Sequence, residues 1–302
     1  MAEALPLRTT MNFAYGVPRE LSPGVVRIVA NNPNHFTFKG TNTYLLGSRD
    51  LALIDPGPED GNHLAAILAA AAPRRITHIL ITHTHRDHTD GLPALLAATG
   101  AKTAGFGRRA ANRGTKRTSP SGGEFVDQDF LPDIPLQDGA RLEGDGWAVT
   151  AVHTPGHAPD HLCFALEGTR LLFSGDHVMG WNTSVVAPPE GNMAAYLRSL
   201  ERLTERSDEV YYPGHGGQVE DPQRVVKAYL LHRRMREQAI LDCIRKGTDT
   251  VRAIVPVVYK GLDPKLLNAA SLSVLAHVEH LIERGLVRCE SPLSSDRALS
   301  AS

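Results

Sequence analysis

The chain has 302 residues, with 32 basic and 33 acidic side chains and a formal net charge of -1. That balance, with 42% hydrophobic residues, excludes a disordered chain and one steered mainly by nucleic acid. Three cysteines exclude a disulfide scaffold or a cysteine-rich zinc module, whereas 14 histidines, ten of them from His63 to His215, raise the question of metal binding.

The first residues lack the basic start and apolar core of a secretory signal. The longest apolar run, residues 64–72, is far shorter than the roughly 20 residues that span a bilayer. A cytoplasmic protein with no membrane partner is the expectation.

The β-branched run Val25–Val29 predicts a strand. Residues 43–47 and 51–57 predict two more, joined as a hairpin through Gly47-Ser48-Arg49-Asp50 and closed by Pro56-Gly57. Residues 64–72 follow Asp60, Gly61 and Asn62 and read as a capped helix. Residues 76–82 form a short apolar run suited to a strand buried on both faces. Further strands are expected at 147–152, 161–165, 171–173 and 209–212. Strands in hairpins mixed with covering helices predict a layered α/β fold.

From residue 198 the texture changes. Residues 221–246, 251–259 and 266–284 have helical periodicity, and 285–289 read as a strand. Helix, turn, helix and short strand outline a winged-helix-like module. The expected division falls near residue 225, giving segments 1–225 and 226–302. The last helix carries few basic residues, so it reads as a pocket wall or a homodimer contact more than as a reader of DNA.

The chemistry lies on loops that follow strands. His83, His85, Asp87 and His88 fall within six residues just past a strand. Downstream come His157 after Thr154-Pro155-Gly156, Asp176 after Ser174-Gly175, and His215 within Tyr212-Pro213-Gly214-His215-Gly216. A preceding glycine lets the backbone turn tightly and present the side chain at a strand end. Lone histidines such as His78, His63, His232, His277 and His280 read as packed residues. Burying the 83–88 cluster together without a cation would be costly.

These motifs, in this order and spacing over residues 20–220, resemble the metallo-β-lactamase-fold hydrolase superfamily. The stretch Gly40-Thr41-Asn42-Thr43-Tyr44-Leu45, the segment from His153 to His157, the Tyr-Pro-Gly-His-Gly sequence and the C-terminal module resemble the lactamase-β-like protein 2 group. The resemblance implies an αββα sandwich with a metal site at one edge of two sheets, followed by the small winged-helix-like domain. It implies that His83, His85 and His157 hold one zinc, that Asp87, His88 and His215 hold a second, and that Asp176 bridges them. His153 is then left on its strand. Asp90 stands where relatives usually have glycine, and is expected to cap the helix beginning near Leu92, the alternative being that it accepts a hydrogen bond from a ligand histidine.

A set of five imidazoles and two carboxylates suits Zn2+ and tolerates Mn, Fe or Co. Two such ions share a hydroxide that attacks a carbonyl or phosphorus, with Asp87 orienting it and carrying a proton. The expected function is therefore a binuclear zinc hydrolase of a small-molecule ester, lactone or thioester. The alternatives are a single-stranded RNA endonuclease, as the group resemblance suggests, or β-lactam hydrolysis as a side activity. Residues 101–120 hold six basic and no acidic side chains (Lys102, Arg108, Arg109, Arg113, Lys116 and Arg117) and could meet phosphate, whereas the neutral overall charge argues against a dedicated nuclease. His177, Trp181 and Asn182, just after Asp176, are candidate substrate contacts. So are His35 and Phe36, in a flap over residues 31–39.

Overall fold

The computed structural model describes residues 5–107, 126, 127, 129–290 and 293–302. Five of the six basic residues expected to meet phosphate, Arg108, Arg109, Arg113, Lys116 and Arg117, lie outside the described residues. Lys102 opens a strand and is exposed.

Two sheets carry the fold. The first holds β1 (Arg19–Ser22), β2 (Val25–Val29), β3 (Asn42–Leu46), β4 (Leu51–Ile54), β5 (Ile76–Leu80), β6 (Lys102–Phe106) and β7 (Ile134–Leu136), in sequence order. It is antiparallel from β1 to β4 and parallel from β4 to β7. The parallel half needs crossovers. Helix α1 (Gly61–Ala71) supplies the first, and α2 (Arg86–Thr89) with α3 (Leu92–Thr99) supplies the second. Asp60 starts α1 by accepting a hydrogen bond from the Asn62 backbone N–H at 2.8 Å. Asp90 does not cap α3 as expected: Gly91 occupies that position, and the Asp90 carboxylate pairs with Arg86 one turn back.

The second sheet runs β13-β12-β11-β10-β9-β8 in space, from β8 (Arg141–Gly144), β9 (Trp147–His153), β10 (Leu162–Leu166), β11 (Leu171–Gly175), β12 (Val210–Pro213) and β13 (Val219–Glu220). Helix α4 (Met193–Thr204) makes the crossover that leaves β11 and β12 parallel. Then comes α5 (Pro222–Arg245).

Three apolar layers make this an αββα sandwich. Tyr44, Ile54 and Leu80 of the first sheet meet Val149, Phe164, Phe173 and Tyr212 of the second. Burying each such large side chain is worth about 1.5–3 kcal/mol. The outer face of the first sheet packs on α1 and α3 through Leu53, Ile67, Ile79 and Leu95. Leu172 and Tyr211, on the outer face of the second, pack on Tyr196 and Leu200 of α4 and Val226 and Tyr229 of α5.

A separate core holds α6 (Val251–Val258), α7 (Leu267–Glu283) and the two-stranded sheet of β14 (Val287–Cys289) and β15 (Leu299–Ala301). The end of α5 joins it through Ile240, Leu241 and Ile244. One continuous helix thus crosses residue 225 and belongs to both cores. Strands β1, β6, β7, β8, β13 and β15, and the full extent of α4, were not legible in the sequence.

At the junction of α5 and α7, Glu237 accepts hydrogen bonds from Arg284 Nη1 at 2.5 Å and His280 Nδ1 at 2.6 Å. His277 beside it is fully buried, with its Nδ1 3.7 Å from Glu237 Oε2 and neither ring nitrogen in a hydrogen bond among the described residues. Burial holds the His277 pKa down at about 4. A histidine depressed in the folded state stabilises above its unfolded value of about 6.5, and that stability is lost as pH falls through 4. His277→Leu is expected to flatten the loss of stability between about pH 6.5 and 4 in urea titrations. The fully developed difference is on the order of 3 kcal/mol, and an unchanged pH profile would contradict it.

Candidate metal centre

All seven motif residues meet at one shared edge of the two sheets. His83 and His85 lie on the chain leaving β5, and the single turn α2 carries Asp87 and His88. His157 sits on the loop after β9, Asp176 directly after β11, and His215 just past β12. Because β11 and β12 are parallel neighbours, their ends place Asp176 beside His215, tied by the Gly214 N–H to the Gly175 carbonyl at 2.9 Å. The first sheet reaches across: Asn42 Nδ2 donates to the carbonyls of Pro213 and Gly216, at 2.9 and 2.8 Å.

His83 Nε2 and His157 Nε2 stand 2.9 and 3.0 Å from His85 Nδ1, so these three form one group. A second group is Asp87, His88 and His215, with His215 Nε2 3.2 Å and His88 Nε2 3.4 Å from Asp87 Oδ2. Asp176 stands between them: its Oδ2 is 3.3 Å from His215 and 3.7 Å from His157, and its Oδ1 is 3.6 Å from His88. Asp176 thus touches both groups, and His83, His88 and Asp176 form a third combination close enough to share an ion.

The far nitrogens are held in turn. His88 Nδ1 bonds Asp55 Oδ2 at 2.8 Å, His157 Nδ1 donates to the Val185 carbonyl at 2.6 Å, and His83 Nδ1 meets Thr82 Oγ1 at 3.0 Å. Asp55 also accepts from the Thr82 backbone and hydroxyl. Such outer contacts fix the tautomer and aim of the inner nitrogen. Asn32 Nδ2 bonds Thr41 Oγ1 at 3.0 Å, and Thr41 Oγ1 bonds Asp87 Oδ2 at 3.3 Å.

Burial, with neighbouring imidazoles, pushes His83 well below its ordinary value and His85 to about 3. For His215 burial pulls down, but the Asp176 and Asp87 carboxylates outweigh it and push it up to about 9. Burial would raise the two carboxylates, yet the imidazoles of His88 and His215 hold them low. Two ionised carboxylates thus converge with the neutral rings of His83 and His85, while the same carboxylates hold His88 and His215 in their protonated forms, positive charge that a bound cation would replace. His88 Nε2 and Asp176 Oδ1 are buried there without a hydrogen-bond partner among the described residues. Buried polar atoms are rarely left unpaired, and the donor set fits divalent cations. No thiol takes part, since the three cysteines lie elsewhere.

The candidate substrate contacts are placed less uniformly. Trp181 stacks on Phe38 with ring centroids 4.7 Å apart, and Asn182 and His35 are exposed. His177 is fully buried against Tyr196 and His161. His153 ends β9, stacks on Phe106 and bonds the Pro159 carbonyl. Sequence reasoning missed Asp55, although its Ile54-Asp55-Pro56-Gly57 turn at a strand end is the same kind of signal as the others. It also missed Asn32, Thr41 and His161. The His161 Nε2 accepts the Asp176 backbone N–H at 3.1 Å.

Residues 36–215 match the Metallo-beta-lactamase superfamily, and residues 250–292 match the Beta-lactamase associated winged helix domain. The chain is 34% identical to a Beta-lactamase-like protein 2 homolog of Drosophila melanogaster, over 89% of this chain and 91% of that one. It is also 34% identical to an atrochrysone carboxyl ACP thioesterase of Aspergillus chevalieri, over 80% and 75%. A Beta-lactamase domain protein from Burkholderia ambifaria shares the fold, with a TM-score of 0.80, 20% identity, and 97% and 95% coverage.

Proposed function

This chain belongs to the metallo-beta-lactamase superfamily, whose members include hydrolases, and from that premise we propose that it is a two-metal thioester hydrolase. His83, His85 and His157 would hold one ion and Asp87, His88 and His215 the other, with Asp176 serving both. Zn2+ suits this set, and Mn, Fe or Co would be tolerated. The observation that carries the reading is the convergence of these seven side chains with His88 Nε2 and Asp176 Oδ1 buried without a hydrogen bond among the described residues.

When bound, the ions supply Lewis acidity and lower the pKa of water towards about 7. The protein's own groups do the rest. Of the two carboxylates Asp87 is the one water reaches more readily: its side chain is 31% exposed, against 10% for Asp176. Its carboxylate is therefore placed to orient the attacking water and to take its proton. Thr41 holds Asp87, and Asn32 holds Thr41. Phe38 and Trp181 form an apolar rim, since Trp181 also abuts Gly216, next to His215.

Thioesters are preferred within the ester, lactone and thioester class because two relatives carry that activity in their names. The net charge of -1 disfavours RNA. The test is a panel of acyl thioester, lactone, β-lactam and single-stranded RNA substrates with zinc-loaded protein. Thioester hydrolysis is expected, falling at least about 100-fold in Asp87→Ala. Cleavage of RNA or lactam alone, or an unaffected variant, would overturn the reading.

A further inference from the structure

We propose that Arg233 on α5 is a positioning residue for His157, acting through the loop of residues 177–185. The inference rests on the reading that His157 holds a metal ion. That loop leaves Asp176, packs Val178 into the core between the second sheet and α4 and α5, and ends with the Val185 carbonyl on His157 Nδ1 at 2.6 Å. The acceptor forces the ring proton onto Nδ1 and leaves the Nε2 lone pair facing His85 and Asp176.

Five carbonyls of the loop before Val185 are held by side chains, that of Val178 by Ser174 Oγ at 2.8 Å. The His177 carbonyl accepts from Tyr196 Oη at 2.9 Å and from Ser184 Oγ at 2.8 Å. The Tyr229 hydroxyl lies between the carbonyls of Met179, at 2.5 Å, and Asn182. Arg233 Nη2 donates to the carbonyl of Ser184, the residue before Val185. Arg233 therefore acts nearest the point that sets the His157 ring.

The position is an unusual one for a cation. Arg233 is 3% exposed, its guanidinium rests over the Tyr196 ring, and its Nε has no partner among the described residues. Burying a guanidinium is costly, and an apolar side chain would fill the same space without that cost. What the arginine adds is a directed donor to one loop carbonyl. One turn further along α5, Glu237 is tied to His280 and Arg284 at the end of α7. The winged-helix module thus anchors the helix that sets the loop.

The experiment is a competitive metal titration with a chromophoric chelator, using intact protein, with the fold followed by circular dichroism. Arg233→Met should keep its secondary structure and lose roughly 10–100-fold in affinity for one of two Zn2+ ions, the scale for outer contacts of metal ligands. Its Co2+ absorption spectrum should change at that site. Arg233→Lys, which keeps a donor, should recover part of the affinity. The exposed Arg234→Met should match wild type. A folded Arg233→Met with wild-type affinity for both ions would overturn the inference alone, whereas no uptake by wild type would overturn the metal reading beneath it. Should Arg233→Met fail to fold, Tyr229→Phe decides: weaker binding at one site supports the loop brace, and unchanged binding refutes it.

Discussion

Asp176→Ala is expected to fold, to lose metal and to lose hydrolysis by roughly 1,000-fold, about 4 kcal/mol of transition-state stabilisation. The carboxylate approaches both groups, at 3.3 Å from His215 and 3.7 Å from His157. Removing it takes away one of the carboxylates that balance His88 and His215 and, in the proposed centre, a ligand from each ion. His161 and the parallel β11–β12 pairing still hold the backbone, so circular dichroism should be unchanged. Retained metal with lost activity would assign Asp176 a chemical role without a binding one. Retention of both would remove it from the centre.

Gly214→Ala should be almost as damaging, for a steric reason. A Cβ at that position would lie 2.4 Å from Asp176 Oδ1 and 2.8 Å from His88 Cε1. The backbone cannot retreat, because the Gly214 N–H donates to Gly175 and its carbonyl accepts from Asn42 at 2.7 Å. Something in the ligand set must shift instead, and a displacement near 1 Å costs about 100-fold in rate. Gly217→Ala is the control, since its added Cβ would meet nothing closer than 3.8 Å. Equal metal content and activity in the two variants would show that the ligand set tolerates displacement.

Both variants concern residues whose motifs are legible in the sequence, and the reason is local. Residues 83–88 and the glycine-preceded 157, 176 and 215 each declare themselves within a few positions, because a strand end and a tight turn are short-range features. The αββα architecture follows from the same motifs through the family they resemble. Partners that meet across the chain leave no such mark. Asp55 reaches His88 from 33 residues away and Asn42 reaches Gly216 from 174. Neither pairing can be read from spacing. Arg233 looks like one more charge in a polar helix until the fold buries it against Ser184. Short strands such as β7 and β8 carry too few residues to show a period. The long helix α5 reads correctly as a helix, but its membership of two cores emerges only from packing.

The most direct test of the central claim is the metal content of the purified wild-type chain, by elemental analysis, beside Asp176→Ala. Two equivalents of divalent metal per chain are expected. Chelation should abolish thioester hydrolysis and zinc should restore it, while Asp176→Ala should hold less metal and not recover. Full activity after chelation, with no metal above background, would contradict it.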